Sequence, residues 1–163
     1  IQTFIRYLTT NLIMSDKDYV IKLEKHETKD VHDAHVNGSL SVIWRDYDNI
    51  FKHVPKMVYV SSVNKNEIKG PHNHTKRNSY FTCIEGKVVF ILKNFDGTFI
   101  EIESSSENGI MVFVPANIES AHINIHDGTS RILALVDISW KPNDDEMKNV
   151  TFDNYDWKKW KKK

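Results

Sequence analysis

The stretch "SYFTCIEGKVVFILKN", residues 79–94, decides the fold. Two runs rich in β-branched and aromatic residues, 79–86 and 87–94, meet at Glu85-Gly86, where the glycine supplies the turn. Residues of this type in short runs bounded by turn formers read as strands. Six further runs repeat the pattern at 39–46, 56–63, 98–104, 109–115, 121–126 and 130–140. Eight such segments within about a hundred residues leave no room for helices between them. Asn37-Gly38, Asp96-Gly97, Asn108-Gly109 and Asp127-Gly128 tolerate the positive φ that tight hairpin connections require. The reading is all-β: an antiparallel jelly-roll β-barrel with short peripheral helical turns, because many evenly spaced strands must close or stack to hide their edges. Residues 141–149, "KPNDDEMKN", read as a helical turn or loop after the last strand.

Composition narrows the class. The 163 residues fit one domain, large enough to fold without a metal or a disulfide. The single cysteine, Cys83, lies in an alternating apolar run and reads as a buried structural thiol in a reducing setting. Lys plus Arg equals Asp plus Glu at 22 each, so no basic field points to nucleic acid. Local basicity at 158–163 reads as a solvated tail. Residues 1–13 read as an N-terminal extension ahead of Met14, with 14–163 as the domain proper. That extension lacks the pattern of a secretory signal, and no stretch is long enough to span a bilayer; the expectation is a cytoplasmic protein with no membrane partner.

"KGPHNH", residues 69–74, carries the chemistry. In an extended segment His72 and His74 share a face with Lys76, and Arg77 lies opposite. Two readings follow. In one, the pair holds a metal. Alternatively, one imidazole moves a proton, since an unperturbed histidine titrates near pH 6.5. His26, His32, His35, His53 and His126 carry no spacing signal and read as surface residues.

His72, His74, Ser79 and Gly86, followed by Gly109, Pro115 and His122, resemble the paired motifs of the cupin superfamily. Ser79 stands where that family carries its metal-binding glutamate. "NGSLSVIWRD" (37–46), "VYVSSVNKNEIKGPHNH" (58–74), "FVPANIESAH" (113–122) and "FDNYDW" (152–157) resemble more closely the sugar-nucleotide branch, the dTDP-4-dehydrorhamnose 3,5-epimerases and dTDP-4-keto-6-deoxyglucose 3,4-ketoisomerases. That resemblance implies a cupin barrel and a metal-independent reaction with no cofactor. It puts a phosphate-binding cation and the catalytic base on Lys69 and His72, and the metal-free His-x-His of the ketoisomerases on His72 and His74. Three departures are visible. Lys69 replaces an arginine, giving up its bidentate fork. Ala134 falls near the proton-delivering tyrosine, which leaves Tyr59 or Tyr80 to replace it. Ser79 falls near an enolate-stabilising lysine.

The expected function is an epimerase or ketoisomerase of a nucleotide-linked, dTDP-type, 4-keto-6-deoxy sugar. A ketone acidifies its neighbouring C–H bonds, and the enolate formed on proton loss needs donors at its oxygen. His72 is the expected base, with His74, Lys76 or Arg77 at the enolate. Lys69, Arg45, Lys76, Tyr80, Tyr59 and His122 are the expected substrate contacts, and unpaired strand edges imply a homodimer. The alternatives are a metal-dependent cupin enzyme using His72, His74 and His122, and a non-catalytic sugar-nucleotide binding module.

Overall fold

The computed structural model describes residues 15–48 and 52–161; the expected N-terminal extension lies outside them. A one-turn helix α1 (Asp16–Tyr19) leads into β1 (Val20–Lys22), β2 (Glu24–Lys29), β3 (Val36–Val42), β4 (Met57–Val63), β5 (Ile68–His74) and β6 (Ser79–Glu85). There follow β7 (Lys87–Lys93), β8 (Phe99–Ser105), β9 (Ile110–Val114), β10 (Glu119–Asn124), β11 (Ser130–Val136) and β12 (Met147–Asn149), and a 3₁₀ turn closes the chain at Trp157–Trp160. Among the described residues the strands form two five-stranded sheets, β1-β9-β6-β11-β4 and β12-β5-β10-β7-β8, and a ribbon of β2 and β3. Every pairing is antiparallel. The all-β jelly-roll expectation holds.

Alternation within the strands builds the core between the two sheets. Cys83, Ile132 and Val112 from one sheet meet Val88, Phe90, Leu92, Ile100 and Ile102 from the other. β7 is buried from Val88 to Leu92 because its second face is covered too. Val89 and Ile91 pack under Phe152, Tyr155, Trp157 and Trp160 of the C-terminal segment. The solvated-tail expectation therefore fails at Trp160, which is packed; Lys158 and Lys159 are exposed, and Lys159 pairs with Glu101. No helix among the described residues is long and apolar enough to cross a membrane.

Three further expectations are corrected. Asn37-Gly38 sits inside β3 rather than in a turn, with Gly38 opposite Thr28. Asp127-Gly128 turns without a positive φ at its glycine, whereas Gly86, Gly97 and Gly109 have φ of 81°, 85° and 60°. Residues 141–149 include β12, which pairs with β5; three residues with no apolar alternation give no strand signal. Cys83 is buried, and burial pushes its thiol up to about 11, so it is inert at neutral pH.

Candidate active site

A bulge on β5 shapes the site. Against β10, Ser120 pairs with His72 and His122 pairs with Lys69, so two steps on β10 span three on β5. The extra residue falls at Gly70-Pro71. Gly70 has φ 88°, and a Cβ there would stand 2.8 Å from the Ser120 carbonyl oxygen, so only glycine fits. By strict alternation Lys69 would face away from His72 and His74. The bulge reverses its phase, and all three line one cavity.

That cavity, about 320 Å³, combines two kinds of lining. Phe81, Phe90, Val114 and Ile132 supply apolar wall; Lys69, His72, His74, Arg77, Tyr59 and His122 supply polar groups. Few convergent polar groups in an apolar hollow of this size is the usual build of a small-molecule site. Lys69 Nζ donates to Ser61 Oγ at 2.7 Å, tying β5 across to β4. Tyr59 lies directly opposite Ala134 on the neighbouring strand and lines the cavity. Burial pushes the Tyr59 phenol up, which keeps it a proton carrier at neutral pH.

β12 and the residue just before it hold the two histidines. His72 Nδ1 is 3.0 Å from Asn149 Oδ1, and His74 Nδ1 is 2.8 Å from Glu146 Oε2. An acceptor oxygen at Nδ1 puts the ring proton there and leaves the lone pair on Nε2. Arg77 Nη2 stands 3.0 Å from Nδ1 and 2.8 Å from Nε2 of His74, so the guanidinium spans the ring instead of following one lone pair. Glu146 Oε1 accepts from the backbone N–H of Arg77 at 3.0 Å and of Lys76 at 3.3 Å. Burial lowers the His74 pKa, with the Arg77 charge adding and Glu146 opposing. Burial alone would raise the Glu146 carboxyl, but the hydrogen bonds from His74 and from the Arg77 and Lys76 N–H groups hold it below the usual carboxylate range. His122 is driven down to about 3, by burial first and then by Lys69 and His72. The residue as a whole keeps some exposure, but Nε2 is buried with no hydrogen-bond partner.

The expected contacts divide. His72, His74, Lys69, Tyr59 and His122 come together. Lys76 is exposed and away from the cavity while Arg77 enters it, the reverse of the strand-phase expectation; β5 ends at His74 and residues 75 and 76 bend, so alternation stops there. Tyr80 is buried behind its sheet, stacked on Phe113 with centroids 4.7 Å apart. Arg45 is held by Asp48 at 2.9 Å and Glu24 at 2.6 Å, beside a different pocket. Glu146 and Asn149 were missed with β12. The five histidines without a spacing signal are all exposed.

The metal-site reading fits these residues poorly. Among the described residues, the one group of three metal-binding side chains with ligand atoms within 4.8 Å of one another is Asp30, Asp33 and His35, on the surface. His72, His74 and His122 are not gathered to that degree, and the Arg77 cation lies against the His74 nitrogens where a metal ion would have to approach.

A jelly-roll barrel whose hollow is lined from one strand by His-x-His defines a cupin. The chain matches the family described as FdtA: WxcM-like, C-terminal over residues 20–156, and belongs to that family. No curated protein sequence matches it. Among solved structures, it is similar to a dTDP sugar isomerase from Desulfovibrio desulfuricans G20, with TM-score 0.71 and 14% identity over 85% of this chain and 89% of that one. It is also similar to a variant of the 3,4-ketoisomerase QdtA from Thermoanaerobacterium thermosaccharolyticum in complex with TDP-4-keto-6-deoxyglucose, with TM-score 0.62 and 21% identity over 79% and 84%. A dTDP-4-dehydrorhamnose 3,5-epimerase from Sulfolobus tokodaii aligns with TM-score 0.68 and 14% identity over 85% and 79%. At these identities the likeness establishes the fold.

Proposed function

We propose that this chain is a metal-independent isomerase of a nucleotide-linked 4-keto-6-deoxy sugar. The observation that carries the proposal is a pair in the cavity wall: a histidine with its lone pair on Nε2, His72, two positions before a histidine, His74, that carries the guanidinium of Arg77. The family and the sugar-isomerase folds around it support the same reading. His72 takes the proton from the carbon beside the ketone, and Arg77 holds the negative charge that appears on the ketone oxygen. Tyr59, kept protonated by burial, gives a proton to the enolate carbon; His72 then releases its proton to solvent and the Tyr59 phenolate regains one from it, which restores the starting enzyme. Lys69 meets the diphosphate, and the neutral His122 meets a sugar hydroxyl.

The working protein is a homodimer in this proposal. The β2–β3 ribbon is exposed along nearly all its length, and Val58 and Val60 on edge strand β4 are 57% and 52% exposed. A two-stranded ribbon is marginal by itself, and a second copy covers both features.

The test is turnover of dTDP-4-keto-6-deoxyglucose by protein dialysed against EDTA, followed by proton NMR. An isomerised keto sugar should form at the undialysed rate. Loss of the activity on dialysis with recovery on adding a metal, or tight binding with no product, overturns the proposal.

A further inference from the structure

We infer that Glu146 is a positioning residue that holds His74 in one tautomer and Arg77 against it, reserving the proton-transfer role for His72. The inference rests on the isomerase reading for its kinetic consequence but not for its structural one. Glu146 is among the few buried charged side chains in the described residues, and the other one is Arg77. Its two carboxylate oxygens do different work. Oε2 accepts from His74 Nδ1 at 2.8 Å and stands 3.8 Å from Arg77 Nε. Oε1 accepts from the N–H groups of Lys76 and Arg77. Its backbone carbonyl also receives the Thr75 N–H at 2.9 Å. One residue thus clamps the whole turn from 74 to 77, the turn that carries Arg77 inward when alternation would have carried it out.

The two histidines are thereby made unequal. His72 faces a neutral amide, Asn149, across Nδ1. His74 faces a carboxylate at Nδ1, and one guanidinium nitrogen of Arg77 stands against both of its ring nitrogens. A proton added at His74 Nε2 would meet the Arg77 cation directly, so His74 serves as a support for Arg77. An anionic acceptor is also needed for geometric reasons. Glutamine has the same shape, but if its oxygen satisfies the two backbone N–H groups, its NH₂ faces His74 Nδ1, and the ring must then carry its proton on Nε2.

The experiment is a long-range ¹H–¹⁵N correlation spectrum of the histidine rings in the wild type and in Glu146→Gln. The wild type should show His74 with its proton on Nδ1, and Glu146→Gln should move that proton to Nε2 while the His72 pattern stays unchanged. In turnover, Glu146→Gln should lower kcat by roughly 10- to 100-fold, the rate equivalent of a charge-assisted hydrogen bond, with KM changed by less than about 3-fold. A wild-type spectrum with His74 protonated on Nε2 overturns the inference without any variant. So does a Glu146→Gln spectrum in which both histidines shift alike, since that marks a general loosening. If the wild type does not turn over the sugar at all, the isomerase reading fails while the tautomer result still decides the role of Glu146.

Discussion

β7 and β5 lie in the same sheet with only β10 between them, and each has seven residues. β7 is regular along its whole register with β8 and β10 and buried from Val88 to Leu92. β5 is bulged, half-buried except at the exposed Lys69, and flanked on its outer side by a strand of three residues. The difference extends to polar satisfaction. Among the described residues, the buried side-chain polar atoms without a hydrogen-bond partner are Asn73 Oδ1, Arg77 Nε and His122 Nε2. All three sit on β5, in the turn after it, or on the strand beside it. An unmet buried polar atom costs about 1–3 kcal/mol, and two of the three belong to residues that line the cavity, Arg77 and His122. β7 supplies stability and β5 supplies a prepared surface.

Substitutions should separate those two contributions. Leu92→Ala empties part of the core between the sheets and should lower unfolding free energy by about 2–5 kcal/mol, read by urea denaturation, with turnover of the folded fraction nearly unchanged. Gly70→Ala forces a side chain into a left-handed backbone and against the Ser120 carbonyl. It should cost about 1–3 kcal/mol and also depress kcat/KM, because Lys69 loses its inward phase. Equal effects of the two variants on activity would erase the distinction between the strands.

A third effect, seen only on varying the pH, is on stability. His122 and His74 have folded pKa values below that of a free imidazole. Between about pH 6.5 and the lowered value of each group, the unfolded chain binds protons that the folded chain refuses. Stability is therefore full above about pH 6.5 and falls as pH drops, by about 1.4 kcal/mol per pH unit for each such histidine. His122→Asn should remove one proton's worth of that slope, as measured by denaturation between pH 4.5 and about 6.5, whereas Leu92→Ala should lower the whole curve and keep the slope. An unchanged slope in His122→Asn would show that its ring takes a proton in the folded state.

β7 was legible in the sequence because apolar residues on both faces leave one interpretation, and Gly86 marks its start. β5 was legible only in its residue types. His72 and His74 announce themselves by spacing, and Lys69 by its place in "KGPH", but the phase of Lys69 depends on a bulge that alternation cannot foresee. Arg77 was placed on the wrong face for a related reason, since β5 ends at His74 and the turn is held by Glu146 from 69 positions further along the chain. Arg45 and Tyr80 had the right chemistry for a substrate contact, but one is spent on Glu24 and Asp48 and the other faces the back of its sheet. β12 is too short to declare itself, and its pairing with β5 is a tertiary event.

The central claim is that His72 removes a carbon-bound proton. Incubating wild type and His72→Asn with dTDP-4-keto-6-deoxyglucose in D₂O and following the sugar ring protons by NMR tests it most directly. The wild type should replace the hydrogen beside the ketone with deuterium, and His72→Asn should do so at least about 100-fold more slowly. Washout at the wild-type rate in His72→Asn would contradict the account.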